Sequence, residues 1–150
     1  MKSTPLVSVV TTGWNHSYLL KNFISSLEAV TPPEWAERTE LVVVNNASVD
    51  DTAPFLDGWR KNGSDIGWKQ VIHTDTNLGY AGGNNLGVRA ARGEYLLLVN
   101  NDVLFDANAI EYCLRRYREN PRAILGRKLI RRGGPWTSLN GRVVRYLEGW

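Results

Sequence analysis

Four polar clusters in this chain each follow an apolar run, and together they offer the groups a polar ligand needs. The last is Asn100, Asn101 and Asp102, directly after "YLLLV". Asp102 supplies a carboxylate and Asn100 a carbonyl oxygen two residues earlier, and residues two apart in extended chain point to the same side. Such a pair suits Mg2+ or Mn2+, which take oxygen ligands and complete their shell with phosphate and water. The other clusters are Thr11 to Asn15 after "LVSVV", Asn45 to Ser48 after "LVVV", and Thr74 to Asn77 after "WKQVIH". Any one of them fits turn or helix-cap chemistry, where Asn, Asp and Ser are favoured. Four at comparable positions fit a ligand with several polar edges, such as a nucleotide. No GxxxxGK[ST] loop is present and no GxGxxG follows the first apolar run, so a bound diphosphate would have to be neutralised by a divalent cation.

These clusters need elements that bring them together. "LVSVVTT", "LVVVNN", "WKQVIHT" and "YLLLVN" read as strands, with "AILGRKLI" as a fifth and "RVVRYLEGW" as a further one. Helices are expected over "HSYLLKNFISSLEAV", "SVDDTAPFLDGWRKNG", "NNLGVRAARG" and "DANAIEYCLRRYRENP". Asp50 and Asp51 then lie near the positive end of the second helix. "TPPEWAERTE" and "DTNLGYAGG" read as loops. Strands alternating with helices at short spacing predict an α/β fold, a mostly parallel sheet with helices on both faces. Apolar runs without alternation predict strands buried on both sides. In such sheets ligands bind beyond the carboxyl ends of the strands, where the four clusters fall.

The 150 residues, 43% hydrophobic and 22% charged, fit one globular domain. Residues 1–75 carry six Lys/Arg against nine Asp/Glu, and residues 76–150 carry twelve against six. The basic second half fits a solvated helix face with a basic tail, or a surface for phosphates, nucleic acid or an anionic membrane. Cys113 is the one cysteine, which excludes an internal disulfide and fits a small core position in a reducing cytoplasm. No signal peptide and no membrane-spanning run is read from the sequence. The sequons at Asn15, Asn46 and Asn62 carry no weight without a secretory context.

The stretches "VSVVTTGWNHSYLLKNFISSL", "LVVVNNASVDDT", "NLGYAGGNNLGVRAARGEYLLLVNNDV" and "AILGRKL" together resemble a family 2 glycosyltransferase of the GT-A fold, near its rhamnosyltransferase-like branch. The resemblance covers roughly residues 6–130 in order, and the third stretch is the most specific. It implies a Rossmann-like nucleotide-diphospho-sugar transferase fold whose rim binds a UDP- or dTDP-linked sugar. It implies that Thr11, Thr12 and Trp14 touch the base and ribose. Trp14 stands where Tyr is usual. Asn45, with Ala47 beside it, falls where an Asp reads the base, and its carbonyl oxygen can accept a uracil or thymine N3–H. Asn77, Gly79, Gly82 and Asn85 fall near the diphosphate and sugar, the glycines permitting close backbone approach. A helix start is the structural alternative for Gly82 and Gly83. The metal-binding DXD motif falls on Asn100-Asn101-Asp102, with Asp102 and Asn100 as ligands and Asn101 beside the donor.

The catalytic base of the family lies downstream, in a Glu-Asp pair beyond a "GxxLLIRR"-like stretch that "YLEGW" resembles at its start. Glu148 does not match that base. The expectation is therefore the amino-terminal, donor-binding half of a transferase, with 131–150 as the start of the acceptor side. It would bind the donor weakly and transfer little sugar by itself, and Trp136, Tyr146, Leu147 and Trp150 would be exposed or pair between chains. The expected acceptor is a polysaccharide or lipid-linked saccharide in bacterial envelope synthesis. No nucleic-acid partner is expected, and location is cytoplasmic, with peripheral contact at the inner membrane face or a homo-oligomer as variants. A non-catalytic nucleotide-binding or assembly module and a nucleotidyltransferase-like enzyme are the competing readings. The latter lacks its glycine-rich basic loop after the first strand. A phospho-acceptor domain is excluded, because Ser8 to Thr12 contains no acid.

Overall fold

β1 (Val7–Gly13) and β2 (Thr39–Asn45) form the centre of a parallel sheet, and both are buried almost throughout. A computed structural model of the chain describes residues 4–62 and 66–119. Within it β3 (Trp68–His73) and β4 (Tyr95–Leu98) flank the central pair in the order β3-β2-β1-β4, every pairing parallel. The register sets Gly13 opposite Asn45 and Asn45 opposite His73, so three strands end at one level. The expected strands at 123–130 and 142–150, with Trp136, Tyr146, Leu147 and Trp150, lie outside the described residues.

Crossover helices cover both faces, as expected of parallel strands. α1 (Ser17–Val30) buries Leu20, Phe23, Ile24 and Leu27 at helical spacing. It packs with α3 (Thr52–Lys61), where the Trp59 indole N–H donates to Glu28 at 2.9 Å. α4 (Gly79–Ala90) covers the other face. A Cβ on Gly87 would lie 2.5 Å from Val10 and 3.2 Å from Val44, whereas one on Gly13 would meet Leu20 of α1 at 2.8 Å. Even-numbered β1 residues therefore face α4 and odd-numbered ones face α1. α5 (Ala109–Glu119) belongs to a second compact unit that begins at Ala109, and within it Cys113 is half-buried. Among the described residues no helix is long and apolar enough to cross a membrane.

Three expectations are corrected. "TPPEWAERTE" holds a short helix, α2 (Pro33–Ala36), because Pro33 occupies a first-turn position that needs no N–H. β4 is not buried on both sides: Leu96 and Leu98 are 50% and 54% exposed, since β4 is the edge of the described sheet. The stretch from Gly79 to Gly83 is helix, not loop. Gly79 starts it at φ +70°, a conformation that favours glycine, and Gly83 packs where a Cβ would collide with Thr12.

The lower end of the sheet holds a polar network that the apolar pattern hides. Glu40 is fully buried in β2. Its carboxyl group accepts the Ser8 hydroxyl at 2.5 Å, the Gln70 amide at 2.6 Å and the Arg92 N–H at 2.8 Å. Ser8 accepts the Gly93 N–H in turn, and Gln70 also donates to the Ala90 carbonyl. Buried polar groups persist where each finds a partner, and these bonds tie the end of α4 to the start of the sheet.

Candidate donor-binding site

At the upper end the polar groups surround an open rim. The β1–α1 and β2–α3 loops are stitched together. Asn15 donates its N–H to Ser48 and accepts the Val49 N–H at 2.9 Å. The Ser17 N–H donates to Asp50 at 3.0 Å, the Ser17 hydroxyl donates to Asp51, and Lys21 pairs with Asp51 at 2.7 Å. Asn15, His16 and Ala47 all take left-handed backbone, at φ 57°, 56° and 59°. Side-chain residues held there are strained, and the crossed hydrogen bonds are what hold them. The Thr52 hydroxyl first, and the Ser17 and Thr52 N–H groups with it, keep the Asp50 carboxyl below its ordinary value of 3.8 against a contribution from burial. Hydrogen bonds from Lys21 and Ser17 lower Asp51 likewise.

Asn46 organises the next segment. It is 3% exposed, and its amide donates to Asn77 at 2.9 Å and to the Gly79 carbonyl at 3.1 Å, while its oxygen accepts the Leu78 N–H at 2.9 Å. The Asn77 oxygen accepts the Gly79 N–H at 2.8 Å. The start of α4 is thereby fixed to the end of β2. On the far side, Val99 N–H donates to Val10, and Phe105 packs edge-on against Phe23 at 5.2 Å. Residues 100–104 thus lie beside the end of β1. A Cβ on Gly13 would come 3.2 Å from the Asn101 amide nitrogen, so glycine there admits the segment.

The residues expected from the sequence divide by what the fold does with them. Trp14 is 56% exposed at the rim, and Asn85, Asn100 and Asp102 are exposed. Asn101, Thr12, Ala47 and Gly82 are half-buried, and Asn77 and Gly79 are exposed at the start of α4. Thr11 is corrected: it faces α1, is fully buried, and its hydroxyl has no hydrogen-bond partner among the described residues, so it lines the core rather than the rim. Asn45 is 3% exposed; its oxygen accepts the Ser48 N–H at 3.1 Å and its nitrogen lies 3.0 Å from His73 Nδ1. It shapes the β2–α3 turn. Gly82 sits in the first turn of α4, where a Cβ would come 2.8 Å from the Leu78 Cβ, so local packing accounts for it. Asn46 and Tyr80 are the rim residues that the sequence reading did not single out. Asn46 stood next to Asn45 in a polar cluster, but its partners lie about thirty residues away.

Among the described residues no three His, Cys, Asp or Glu side chains gather, so an all-protein cage is absent there. Asp102 makes no ion pair or hydrogen bond among the described residues. One open carboxylate with an amide oxygen nearby fits Mg2+ or Mn2+ that takes most of its shell from phosphate and water.

Comparison with known proteins gives the same class. A poly-beta-1,6-N-acetyl-D-glucosamine synthase of Staphylococcus epidermidis is 27% identical over 127 residues, covering 83% of this chain and 29% of that protein. The mannosyltransferase PcManGT of Pyrobaculum calidifontis, solved with GDP-Man and Mn2+, superposes with a TM-score of 0.67 at 22% identity, over 77% of this chain and 33% of that one. S. aureus TarS 1-349, solved with UDP-GlcNAc, superposes with a TM-score of 0.64 at 21% identity, over 81% and 37%. These superpositions show the GT-A transferase fold, and this chain spans about a third of the length of each of these three proteins. The glycosyl transferase family 2 profile matches residues 8–147, which selects glycosyltransferase over nucleotidyltransferase. On that match, and on the fold that carries it, the chain belongs to glycosyl transferase family 2.

Proposed function

We propose that the rim binds a UDP- or dTDP-linked sugar together with Mg2+ or Mn2+, and that the protein delivers the sugar to a polysaccharide or lipid-linked acceptor. The observation that carries this reading is the convergence of strand ends on one rim that leaves Asp102 and Trp14 open to solvent. The base packs on Trp14, beside the loop that Asn45 and Ala47 shape, and Thr12 lies at the ribose. Asn77, Gly79 and the first turn of α4 with Gly82, and Asn85 beyond it, meet the diphosphate and sugar. A helix start favours anions, and here the Leu78 and Gly79 N–H groups are already taken by Asn46 and Asn77. Asp102 and Asn100 hold the cation with diphosphate oxygens, and Asn101 flanks the donor. When bound, the cation neutralises the charge on the diphosphate leaving group. The chain's own residues orient the donor and fix the amides that meet it. No residue is assigned as the base. The bound UDP-GlcNAc of the TarS complex and the GDP-Man and Mn2+ of the mannosyltransferase support the ligand class.

Equilibrium titration of the chain with UDP, dTDP and GDP in Mn2+ tests the base preference. Tighter binding of the two pyrimidine nucleotides is expected. Equal binding of all three, unaffected by Trp14→Ala, would contradict the placement of the base.

A further inference from the structure

Tyr80 is the second residue of α4, and its side chain is not explained by packing, since it is 65% exposed. Its hydroxyl crosses to the other side of the rim and donates to Asn100 Oδ1 at 2.8 Å. The backbone beneath it is held. The Tyr80 carbonyl accepts the Asn84 amide at 3.0 Å, and the turn before it is bound through Asn77 and Gly79 to Asn46. The phenol therefore projects from a fixed base toward the exposed side chain of Asn100.

A terminal amide has no internal preference for presenting its oxygen or its nitrogen; its partners decide. The Tyr80 hydroxyl selects the oxygen of Asn100 and leaves that oxygen a second lone pair. A phenylalanine would occupy the same space without making this choice. We infer that Tyr80 is a positioning residue: its hydroxyl sets the Asn100 carbonyl oxygen in the orientation a divalent cation needs, and couples the start of α4 to the cation side of the rim. The inference rests on the proposed donor site, whose diphosphate would contact both sides.

The test is calorimetric titration of the 150-residue chain with UDP, with and without Mn2+, on the unaltered protein, Tyr80→Phe, Asn100→Ala, the double variant and Asp102→Ala. Tyr80→Phe is expected to reduce the gain in UDP affinity produced by Mn2+ by about two- to tenfold, the range for one lost hydrogen bond. The loss should be larger with Mn2+ than without it, and Tyr80→Phe should add nothing to the Mn2+ effect on the Asn100→Ala background. An equal loss with and without Mn2+, or no loss, overturns the inference. A gain that survives in Asp102→Ala, or no gain in the unaltered protein, overturns the donor reading and the inference with it. The side-chain amide resonances of Asn100 separate the two. They should shift in Tyr80→Phe without any nucleotide present, and unmoved resonances sink the inference whatever nucleotide binding does.

Discussion

The two ends of the sheet each carry a carboxyl group among amides and hydroxyls, yet they treat it in opposite ways. At the lower end Glu40 is fully buried and accepts from Ser8, Gln70 and Arg92. At the upper end Asp102 is exposed and makes no such bond among the described residues, while Asn45 bonds His73 and Ser48, and Asn46 bonds Asn77. A polar group that satisfies its neighbours holds the fold. One left open beside satisfied neighbours is available to a ligand. The difference separates a carboxyl group that the fold uses from one that it leaves open.

Breaking the lower network should have the largest effect on stability. Glu40→Ala strands the Ser8 hydroxyl and the Arg92 N–H and removes one of the two Gln70 amide bonds, and we expect a loss of about 3 kcal/mol or more. Thermal unfolding should show a fall in Tm of roughly 10 °C or more. A loss near zero would mean the network does not hold α4. Gly87→Ala comes next. Its methyl would press on Val10 and Val44 in the core, and chemical denaturation should show a loss of about 1–3 kcal/mol.

The stitched loops of the upper rim should respond to acid. Because the folded state lowers Asp50 below 3.8, the unfolded chain takes up its proton first as pH falls. That contribution is fully present above the ordinary value and is lost as pH drops through the lowered one. Asp50→Asn should flatten the acid limb of a pH titration of stability; an unchanged limb would show that the carboxylate does not hold the loops. Asp102→Ala should have the smallest effect on stability, within about 0.5 kcal/mol, as for an exposed residue with no hydrogen bond or ion pair among the described residues.

Much of this fold was legible in order. "LVSVVTT" and "LVVVNN" became the two central strands because uniform apolar runs leave few other solutions. The same rule misled for β4, where Leu96 and Leu98 obey the pattern but an edge position leaves them exposed. Glu40 was invisible because its partners sit from about thirty to fifty residues away, and only the parallel register brings them to it. The glycines of "GYAGGNNLG" carried an ambiguous signal, since close approach to a ligand and close packing of a helix on a sheet demand the same residue. Gly83 and Gly87 serve packing. At the rim, the polar strand end at Asn100 to Asp102 was readable from the apolar run before it. Thr11 was not, because its neighbour Thr12 faces the other side of β1 and sequence alone did not assign the faces. Tyr80 was missed because its bond to Asn100 depends on how α4 and β4 flank β1.

Asp102 lies in the turn after β4, and the central claim is that it is an open cation ligand as well as a turn residue. The direct measurement is the affinity of the chain for UDP with and without Mn2+, compared with Asp102→Ala. Tighter binding in Mn2+ that disappears in the variant, at unchanged Tm, is the predicted result. Binding that is indifferent to Mn2+ or to Asp102 would contradict it, and would leave the polar end of β4 as turn chemistry alone.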